Sequence, residues 1–254
     1  MCGACASRRS FLALSAAGAL AACSENTETG RRQLAFVPDD QLSALADQTW
    51  AEVVRQHPPL NDPAADARLA GIGRRLAEAS GRTDLNWRFA VLDGADVNAF
   101  VLPNGQVGVF RGLFEFARSD DEIASVLGHE IGHVLARHPA ERVSQELAVQ
   151  AGVSLAQVLL SNGENAEQAG QIAGALGLGA TVGVLLPYSR RHELEADKIG
   201  VELMRDAGFA PGAAVGFWER MIARSEGPRP LEALSTHPAD ERRLTELKAA
   251  VAAA

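Results

Sequence analysis

Apolar residues recur at helical spacing in two segments near the start of the chain, residues 39–57 and 64–79. The recurring positions are Leu42, Leu45, Ala46, Trp50 and Val53 in the first segment and Leu69, Ile72 and Leu76 in the second. Positions three or four residues apart fall on one face of a helix. Both segments are therefore predicted to be amphipathic helices that pack one side against a core.

Three shorter segments with a strand-like pattern follow the second helix. Residues 86–92 alternate between apolar and polar positions, which predicts a strand. Residues 97–102 and 106–110 flank Pro103-Asn104-Gly105, a turn sequence that predicts a β-hairpin. Helices around a few strands indicate an α+β fold that is mainly helical and contains a small β-sheet.

A third amphipathic segment, residues 120–137, contains the run His129-Glu130-Ile131-Gly132-His133. Its apolar positions are Ile123, Val126, Leu127, Ile131, Val134 and Leu135. The acidic run Asp120-Asp121-Glu122 suits the first turn of a helix, where negative charge is favoured. Pro139 ends the predicted helix.

The spacing of the two histidines in this run predicts a metal site. Side chains four residues apart lie on one face of a helix, so His129 and His133 can hold a single Zn²⁺ ion. Glu130 would then lie near a metal-bound water and could act as its general base. Two ordinary histidines are the competing interpretation, but the intervening glutamate and the amphipathic helix favour the zinc site. The predicted chemistry is metal-assisted hydrolysis of a peptide bond.

A third ligand is expected further along the chain. A metzincin-type site would need a glycine and a histidine where Ala136 and Pro139 stand, so that arrangement is excluded. Glu193 and Asp197 are four residues apart and share a helical face. Glu193 can bind the metal while Asp197 accepts the free N–H of a ligand histidine. A solvated charged helix face is the alternative, and the presence of the zinc helix favours the ligand.

Two apolar stretches, residues 143–160 and 167–186, lie between the predicted metal-binding helices. The second is rich in Gly and Ala and carries no charge in residues 172–186. A packed helical hairpin is the plain interpretation. A mobile lid over the cleft or a membrane-contacting surface is the alternative. The uncharged run is marginal in length for a membrane span, and its position between the predicted ligands favours a lid or a wall of the cleft.

Further motifs extend the pattern over most of the chain. They are Thr29-Gly30-Arg31-Arg32-Gln33-Leu34, Val97-Asn98-Ala99-Phe100, the zinc-helix run, Ser189-Arg190 through Glu193 and Asp197 to Gly200, and Ser235-Thr236-His237-Pro238 with Arg243. Together they resemble the zinc endopeptidase family that includes HtpX, the CAAX prenyl protease of the Ste type and the bacterial periplasmic protease BepA. The resemblance implies a gluzincin-type metalloprotease domain with its small sheet beside the zinc helix. It also implies His129, His133 and Glu193 as zinc ligands, Glu130 as base and Asp197 as support.

The resemblance further implies roles at the metal for His237 and Arg243. His237 could fill the open zinc position and hold the enzyme latent. Alternatively, His237 and Arg243 could donate hydrogen bonds to the oxyanion that forms on attack. Arg243 keeps its charge near neutral pH, which suits oxyanion or substrate binding better than metal binding. An ordinary loop histidine is the third interpretation of His237.

The segment Asn98-Ala99-Phe100 also has two interpretations. It could be a core strand, or it could form a sheet edge beside the cleft. An extended substrate could pair with such an edge by β-augmentation, as the family resemblance suggests.

The first residues of the chain are predicted to be a targeting segment. Arg8-Arg9 precede an apolar run at residues 11–22, which together are typical of a twin-arginine signal peptide, although a Sec signal stays an alternative. The run Leu20-Ala21-Ala22-Cys23 resembles a lipobox, which would leave Cys23 to carry lipid; an ordinary signal peptide is the competing interpretation. Residues 1–22 are thus assigned to the signal peptide, 23–40 to a lipidated tether and 41–254 to the zinc metalloprotease domain. Ser24 favours sorting to the outer membrane.

Composition limits the partners. The 24 Lys and Arg against 32 Asp and Glu give a net charge of −8, and no basic patch stands out, so nucleic acid is not an expected partner. The predicted cleavage removes Cys2 and Cys5, so Cys23 is left without an internal disulfide partner.

The sequence therefore predicts a zinc endopeptidase in the bacterial periplasm, with one zinc per chain and a lipid anchor in the outer membrane. Misfolded or unassembled envelope proteins are the substrates that the resemblance implies. An outer-membrane assembly factor or holdase with a structural metal is the alternative, and the intact Glu130 argues against it. A third reading is a peptidase kept latent until a partner arrives.

Overall fold

The computed structural model describes residues 23–160, 188–225, 237 and 241–254. The strands are β1 (Cys23–Glu25), β2 (Arg32–Leu34), β3 (Arg88–Leu92), β4 (Ala99–Val101) and β5 (Gln106–Phe110). The helices are α1 (Asp39–Gln56), α2 (Pro63–Ala79), α3 (Arg111–Phe116), α4 (Asp120–Leu135), α5 (His138–Leu160), α6 (Arg190–Asp206), α7 (Ala213–Ser225) and α8 (Glu241–Ala253). The predicted signal peptide and the apolar stretch 167–186 lie outside the described residues. The expected α+β, mainly helical fold is confirmed.

The small sheet is mixed, with the strand order β3-β5-β4. β4 and β5 pair as the predicted antiparallel hairpin, and Phe100 lies opposite Gly108. A Cβ atom at Gly108 would lie 2.4 Å from the Phe100 ring, so the aromatic side chain fills the space that glycine leaves. β3 pairs with β5 in parallel, which leaves β4 as an edge strand of this sheet.

Helix α4 is the central element of the core. The Ser119 hydroxyl accepts a hydrogen bond from the Glu122 backbone N–H at 3.3 Å and caps the first turn. Of its apolar residues, Ile123, Leu127 and Ile131 have no exposed surface. The helix ends just before Arg137, whose φ of 55° lies in the left-handed region that turns the chain sharply. α5 therefore begins at once and folds back along the C-terminal end of α4.

Helices α4 and α6 pack unusually close because small residues face each other. A Cβ atom at Gly132 would lie 2.7 Å from the Ala196 carbonyl oxygen, closer than real atoms approach. One at Gly200 would lie 2.8 Å from the backbone nitrogen of His129. The absence of side chains at these positions allows the two backbones to approach, so short side chains on α6 reach those on α4.

The segment that starts at Cys23, predicted to be part of a lipidated tether, packs on the body of the protein. β1 and β2 pair in an antiparallel N-terminal hairpin, residues 23–34, that packs on the helices. The buried Asn26 amide donates to the Leu135 carbonyl oxygen at 3.2 Å, and Arg31 forms ion pairs with Glu141 and Glu195. These polar side chains are satisfied by protein groups instead of water, so a hydrophilic segment becomes part of the fold.

Residues 36 and 37 continue this packing. The Phe36 backbone N–H donates to the Ser144 hydroxyl at 3.0 Å, and Val37 joins a small buried apolar cluster with Leu42, Ala140 and Val143. Among the described residues, no helix combines the length and apolar character that a membrane crossing requires.

Candidate active site

Four buried side chains from three parts of the chain converge on one point. α4 supplies His129 and His133, α6 supplies Glu193, and His237 lies between them. Each offers one ligand atom, and these atoms all lie within 4.8 Å of one another. We call these four residues the metal-ligand cluster. The structure thus brings together the three predicted zinc ligands and one of the two residues that the resemblance placed at the metal.

The spacing inside the cluster fits a zinc ion. Zinc bonds to nitrogen and oxygen of about 2.0–2.2 Å put tetrahedral ligands roughly 3.3–3.6 Å apart. The Nε2 atoms of His129 and His133 lie 3.1 Å apart, and each is 3.4 Å from a Glu193 oxygen. His237 Nδ1 lies 3.2 Å from His129 Nε2 and 3.1 Å from Glu193 Oε1. Three imidazoles and a carboxylate are also a donor set that zinc prefers.

Asp197 and Arg243 lie behind the cluster. His129 Nδ1 is 2.8 Å from Asp197 Oδ1, as the sequence predicted for a partner of a ligand histidine. Arg243 donates to both oxygens of Asp197, at 2.7 and 2.9 Å, and its guanidinium lies over the Trp218 ring at 4.1 Å. Arg243 Nη1 also lies 2.6 Å from Glu193 Oε2. This arrangement favours a positioning role for Arg243 over the expected oxyanion contact, because two carboxylates bind its donors.

The surroundings set the charge of each carboxylate. Burial alone would raise the pKa of Glu193, but hydrogen bonds from His129, His133 and His237 hold it far below its usual range. For Asp197, burial again acts to raise the pKa, but the charge of Arg243 outweighs it and the pKa is lowered. Both carboxylates are therefore anionic, as a metal ligand and a histidine acceptor must be.

Glu130 has the opposite character. Burial raises its pKa above the usual value for a glutamate, and the nearby His237 only partly opposes this. A carboxylate whose proton affinity is raised is a better general base near neutral pH. Glu130 Oε1 lies 3.3 Å from His237 Nε2, so the predicted base stands directly beside the cluster.

A cavity of about 190 Å³ leads from β4 to this glutamate. Its lining includes Asn98, Ala99 and Phe100 together with Glu130, Tyr188 and His237. Asn98 and Leu102 use their backbone groups to pair with β5, so by alternation those of Ala99 and Val101 point to the open side of the sheet. The Ala99 N–H there donates to the Asn98 side chain at 2.9 Å. The predicted substrate strand therefore lies at a sheet edge that borders the cavity.

Several residues at the site escaped the sequence analysis. Tyr188 stacks on His133 with ring centroids 3.9 Å apart, and burial raises its pKa to about 12. His138, which the sequence analysis left without a role, lies fully buried with Nδ1 2.9 Å from His133 Nδ1. Four more residues complete these contacts: Arg31 and His192, which lie within motifs of the resemblance but have no predicted role, and Glu141 and Glu195, which the sequence does not single out. Their roles depend on contacts between segments far apart in sequence, which spacing along the chain does not reveal.

Comparison with known proteins gives a consistent assignment. The chain matches the profile described as Peptidase family M48 over residues 63–251, which include all four members of the metal-ligand cluster. It is 35% identical over 224 residues to the mitochondrial metalloendopeptidase OMA1 of Schizosaccharomyces pombe, covering 87% of this chain and 64% of that protein. It is 31% identical over 195 residues to the beta-barrel assembly-enhancing protease of Escherichia coli K12, covering 75% of this chain and 40% of that protein.

The mitochondrial metalloendopeptidase OMA1 of Bos taurus is 32% identical over 236 residues, covering 86% of this chain and 44% of that protein. The chain therefore spans less than two thirds of the length of each of these relatives. The similarity nevertheless runs through both metal-binding helices and the segment that holds His237. The chain belongs to peptidase family M48.

Proposed function

We propose that this protein is a zinc-dependent endopeptidase that hydrolyses peptide bonds of misfolded or unassembled cell-envelope proteins. The observation that carries the proposal is the position of Glu130. It lies between the metal-ligand cluster and a cavity that borders the strand β4. A structural metal site needs no buried carboxylate with a raised pKa beside it. Membership of family M48 and the names of the relatives support the same activity.

His129, His133 and Glu193 would hold the ion. A bound zinc ion supplies the Lewis acidity that polarises the scissile carbonyl and lowers the pKa of a water molecule to about 7. Asp197 keeps the His129 ring in place by accepting a hydrogen bond from its Nδ1–H, and Arg243 fixes Asp197 in turn. This rigid backing would keep the ligands in position while substrates enter and leave.

Glu130 would carry the proton. It takes a proton from the attacking water and passes it to the nitrogen of the leaving amine, so one carboxylate serves as base and then as acid. An extended peptide can pair with the outward-facing backbone groups of Ala99 and Val101. Such pairing tolerates many sequences, which suits substrates recognised by their unfolded state.

His237 is best explained as a removable fourth ligand. It contacts His129, Glu193 and Glu130, so its ring occupies the place that water and a substrate carbonyl would need. A donor to the oxyanion would instead have to leave that place free. This placement supports a latent state in which His237 must move before the enzyme acts.

The proposal includes an envelope location. Cys23 would carry a lipid anchor in the outer membrane on the periplasmic side, and Ser24 after it favours that membrane. Because the N-terminal hairpin packs on the helices, an anchor on Cys23 would hold the protease domain close to the lipid surface. The second candidate is an assembly factor or holdase with a latent metal. It is favoured by His237, because a fourth ligand would close the metal site.

The experiment that separates the two candidates is the Glu130→Gln variant of the full chain. The endopeptidase proposal expects it to bind one zinc per chain and to lose cleavage of casein, a generic unfolded substrate. Added chelator should abolish cleavage by the wild type, and His129→Ala should lose both metal and cleavage. If Glu130→Gln cleaves as fast as the wild type, Glu130 is not the base. Capture of uncleaved envelope proteins by Glu130→Gln would identify the substrates.

A further inference from the structure

The two ligand histidines of α4 are supported by different sets of residues. His129 Nδ1 contacts the carboxylate of Asp197 directly, at 2.8 Å. His133 Nδ1 instead lies 2.9 Å from Nδ1 of a third histidine, His138. His138 Nε2 in turn lies 2.9 Å from Glu195 Oε2, so an imidazole separates His133 from its carboxylate.

Glu195 is held from the N-terminal hairpin. Arg31 Nε donates to Glu195 Oε1 at 2.9 Å, and Arg31 Nη1 donates to Glu141 Oε1 at 2.8 Å. The side chain of Arg31 is 10% exposed and that of Glu195 is 18% exposed, so water competes little for these contacts. His192 Nε2 lies 3.2 Å from Glu141 and its ring stacks on His138. The hairpin thus reaches both carboxylates through a single arginine.

The positions of the protons follow from the metal. A histidine that binds zinc through Nε2 carries its hydrogen on Nδ1. The Nδ1–H of His133 can donate only if His138 Nδ1 is an acceptor, so the hydrogen of His138 must be on Nε2. That hydrogen points to Glu195, which accepts it as an anion. With zinc on His133, only this arrangement satisfies all four nitrogen atoms.

We propose that His138 is a positioning residue for the ligand His133, and that Glu195 and Arg31 fix the tautomer of His138 that this role requires. The inference rests on the proposed function in that it takes His133 as a zinc ligand. It assigns the N-terminal hairpin a part in metal binding, although none of its residues touches the cluster. The geometry that makes this feasible is the left-handed turn at Arg137, which brings His138 back against His133.

Two nearly isosteric variants separate the two hydrogen bonds of His138. In His138→Asn the side-chain oxygen can occupy the place of Nδ1 and accept from His133, but the contact with Glu195 is lost. In His138→Gln the side-chain nitrogen can occupy the place of Nε2 and donate to Glu195, but the acceptor for His133 is lost. The full chain is titrated with zinc against a chelator of known affinity. We expect His138→Gln to bind zinc about 10- to 100-fold more weakly and His138→Asn to remain closer to the wild type.

Arg31 and Arg191 provide a matched pair, because both contact Glu195 Oε1, at 2.9 and 3.2 Å. Arg191 is 69% exposed, so its contact is solvated. Arg31→Met should weaken zinc binding in the same direction as His138→Gln, and Arg191→Met should leave it unchanged. Cobalt-substituted protein gives a second readout, since its visible absorption should shift in His138→Gln and not in Arg191→Met.

Urea unfolding of the metal-free variants separates loss of fold from loss of positioning. The proposal is overturned if His138→Gln binds zinc as the wild type does, or if His138→Gln and His138→Asn lose affinity equally at unchanged metal-free stability. Should both His138 variants unfold, the comparison of Arg31→Met with Arg191→Met decides, and equal zinc affinities for that pair overturn the proposal. His133→Ala tests the proposed function separately: if it binds zinc normally, His133 is not a ligand, whatever the His138 variants do.

Discussion

Arg243 and Glu193 approach within 2.6 Å, so a guanidinium that never touches the cavity bears directly on a predicted metal ligand. The same arginine binds both oxygens of Asp197. The Arg243 side chain is 3% exposed, so breaking its buried ion pairs with Glu193 and Asp197 would be costly. One cation therefore orients the ligand carboxylate and the acceptor of a ligand histidine together.

Replacing Arg243 with methionine should remove this orientation. We expect Arg243→Met to weaken zinc binding by about 10- to 100-fold, the usual effect of losing a group that orients a ligand. It should also destabilise the fold by about 3–5 kcal/mol, because two buried carboxylates lose their partner. Zinc titration and urea unfolding measure the two effects. The neighbouring Arg242 is exposed, so Arg242→Met is the matched control and should change neither. If Arg243→Met binds zinc with wild-type affinity, Arg243 does not orient the metal ligands.

Removing the His237 ring tests latency. If His237 closes the site, His237→Ala should cleave an unfolded substrate faster than the wild type while still binding zinc through the other three ligands. A donor to the oxyanion predicts the reverse, a fall in turnover by roughly 10²-fold or more. Steady-state cleavage of casein at equal zinc content distinguishes the two. An unchanged rate would leave His237 without either role.

The buried His138 should make the metal-free protein sensitive to mild acid. Burial lowers its pKa from 6.5 to about 4, and the Glu195 carboxylate only partly opposes this. Between these values the unfolded chain binds a proton that the folded chain does not, so the free energy of unfolding falls as pH drops from 6.5 towards 4. The full effect of one such group is about 3 kcal/mol at most.

Urea unfolding at pH 7 and pH 5 in the presence of a chelator measures this loss. His138→Asn should show a smaller decrease than the wild type. The pKa of His129 is raised to about 9, because Asp197 more than offsets burial, so its titration changes stability in the opposite direction and equally in the two proteins. Equal decreases in the two proteins would show that His138 does not titrate in this window.

The close packing of α4 and α6 should tolerate no side chain at its centre. A methyl group at Gly132 would lie 2.7 Å from the Ala196 carbonyl oxygen, so Gly132→Ala must push the helices apart. Since zinc bonds tolerate deviations of about 0.2 Å, even a small shift of Glu193 should lower zinc affinity. Gly71→Ala is the control, because a Cβ there meets no atom within 4 Å. Normal zinc binding by Gly132→Ala would mean that the helices adjust without moving the ligand.

Membrane attachment depends on Cys23 in the proposal. Cys23→Ser should abolish labelling by a radioactive or clickable fatty acid and should release the protein from membrane fractions. The protease activity of the released protein should be unchanged, because the cluster lies elsewhere. Labelling that persists in Cys23→Ser would exclude the lipoprotein assignment.

The parts of the site that the sequence predicts best are those set by local geometry. His129, Glu130 and His133 share one helical turn, and Glu193 and Asp197 share another, so spacing alone places each group. The strands and the zinc helix also lie within a few residues of their predicted bounds. His237 and Arg243 could be associated with the metal only through resemblance, since their approach depends on how distant segments pack.

The contacts that the sequence does not predict have a common physical origin. Asn26 and Arg31 lie in a polar segment, yet both are buried against protein partners that are distant in sequence. His138 has no role that its spacing predicts, and its contact is with the ring of His133. Pairing between polar groups far apart in sequence leaves no periodic signal along the chain.

The ion pairs of Arg31 have a consequence for how the molecule is made. Arg31 is separated from Glu141 by 110 residues and from Glu195 by 164 residues. Closing so long a loop carries an entropic cost that only an assembled helical framework can offset. The hairpin is synthesised before α6, yet Arg31 can pair with Glu195 only after α6 exists, so this early segment makes some of its contacts late in folding. A nascent or incompletely folded chain would therefore lack the cation that holds Glu141 and Glu195.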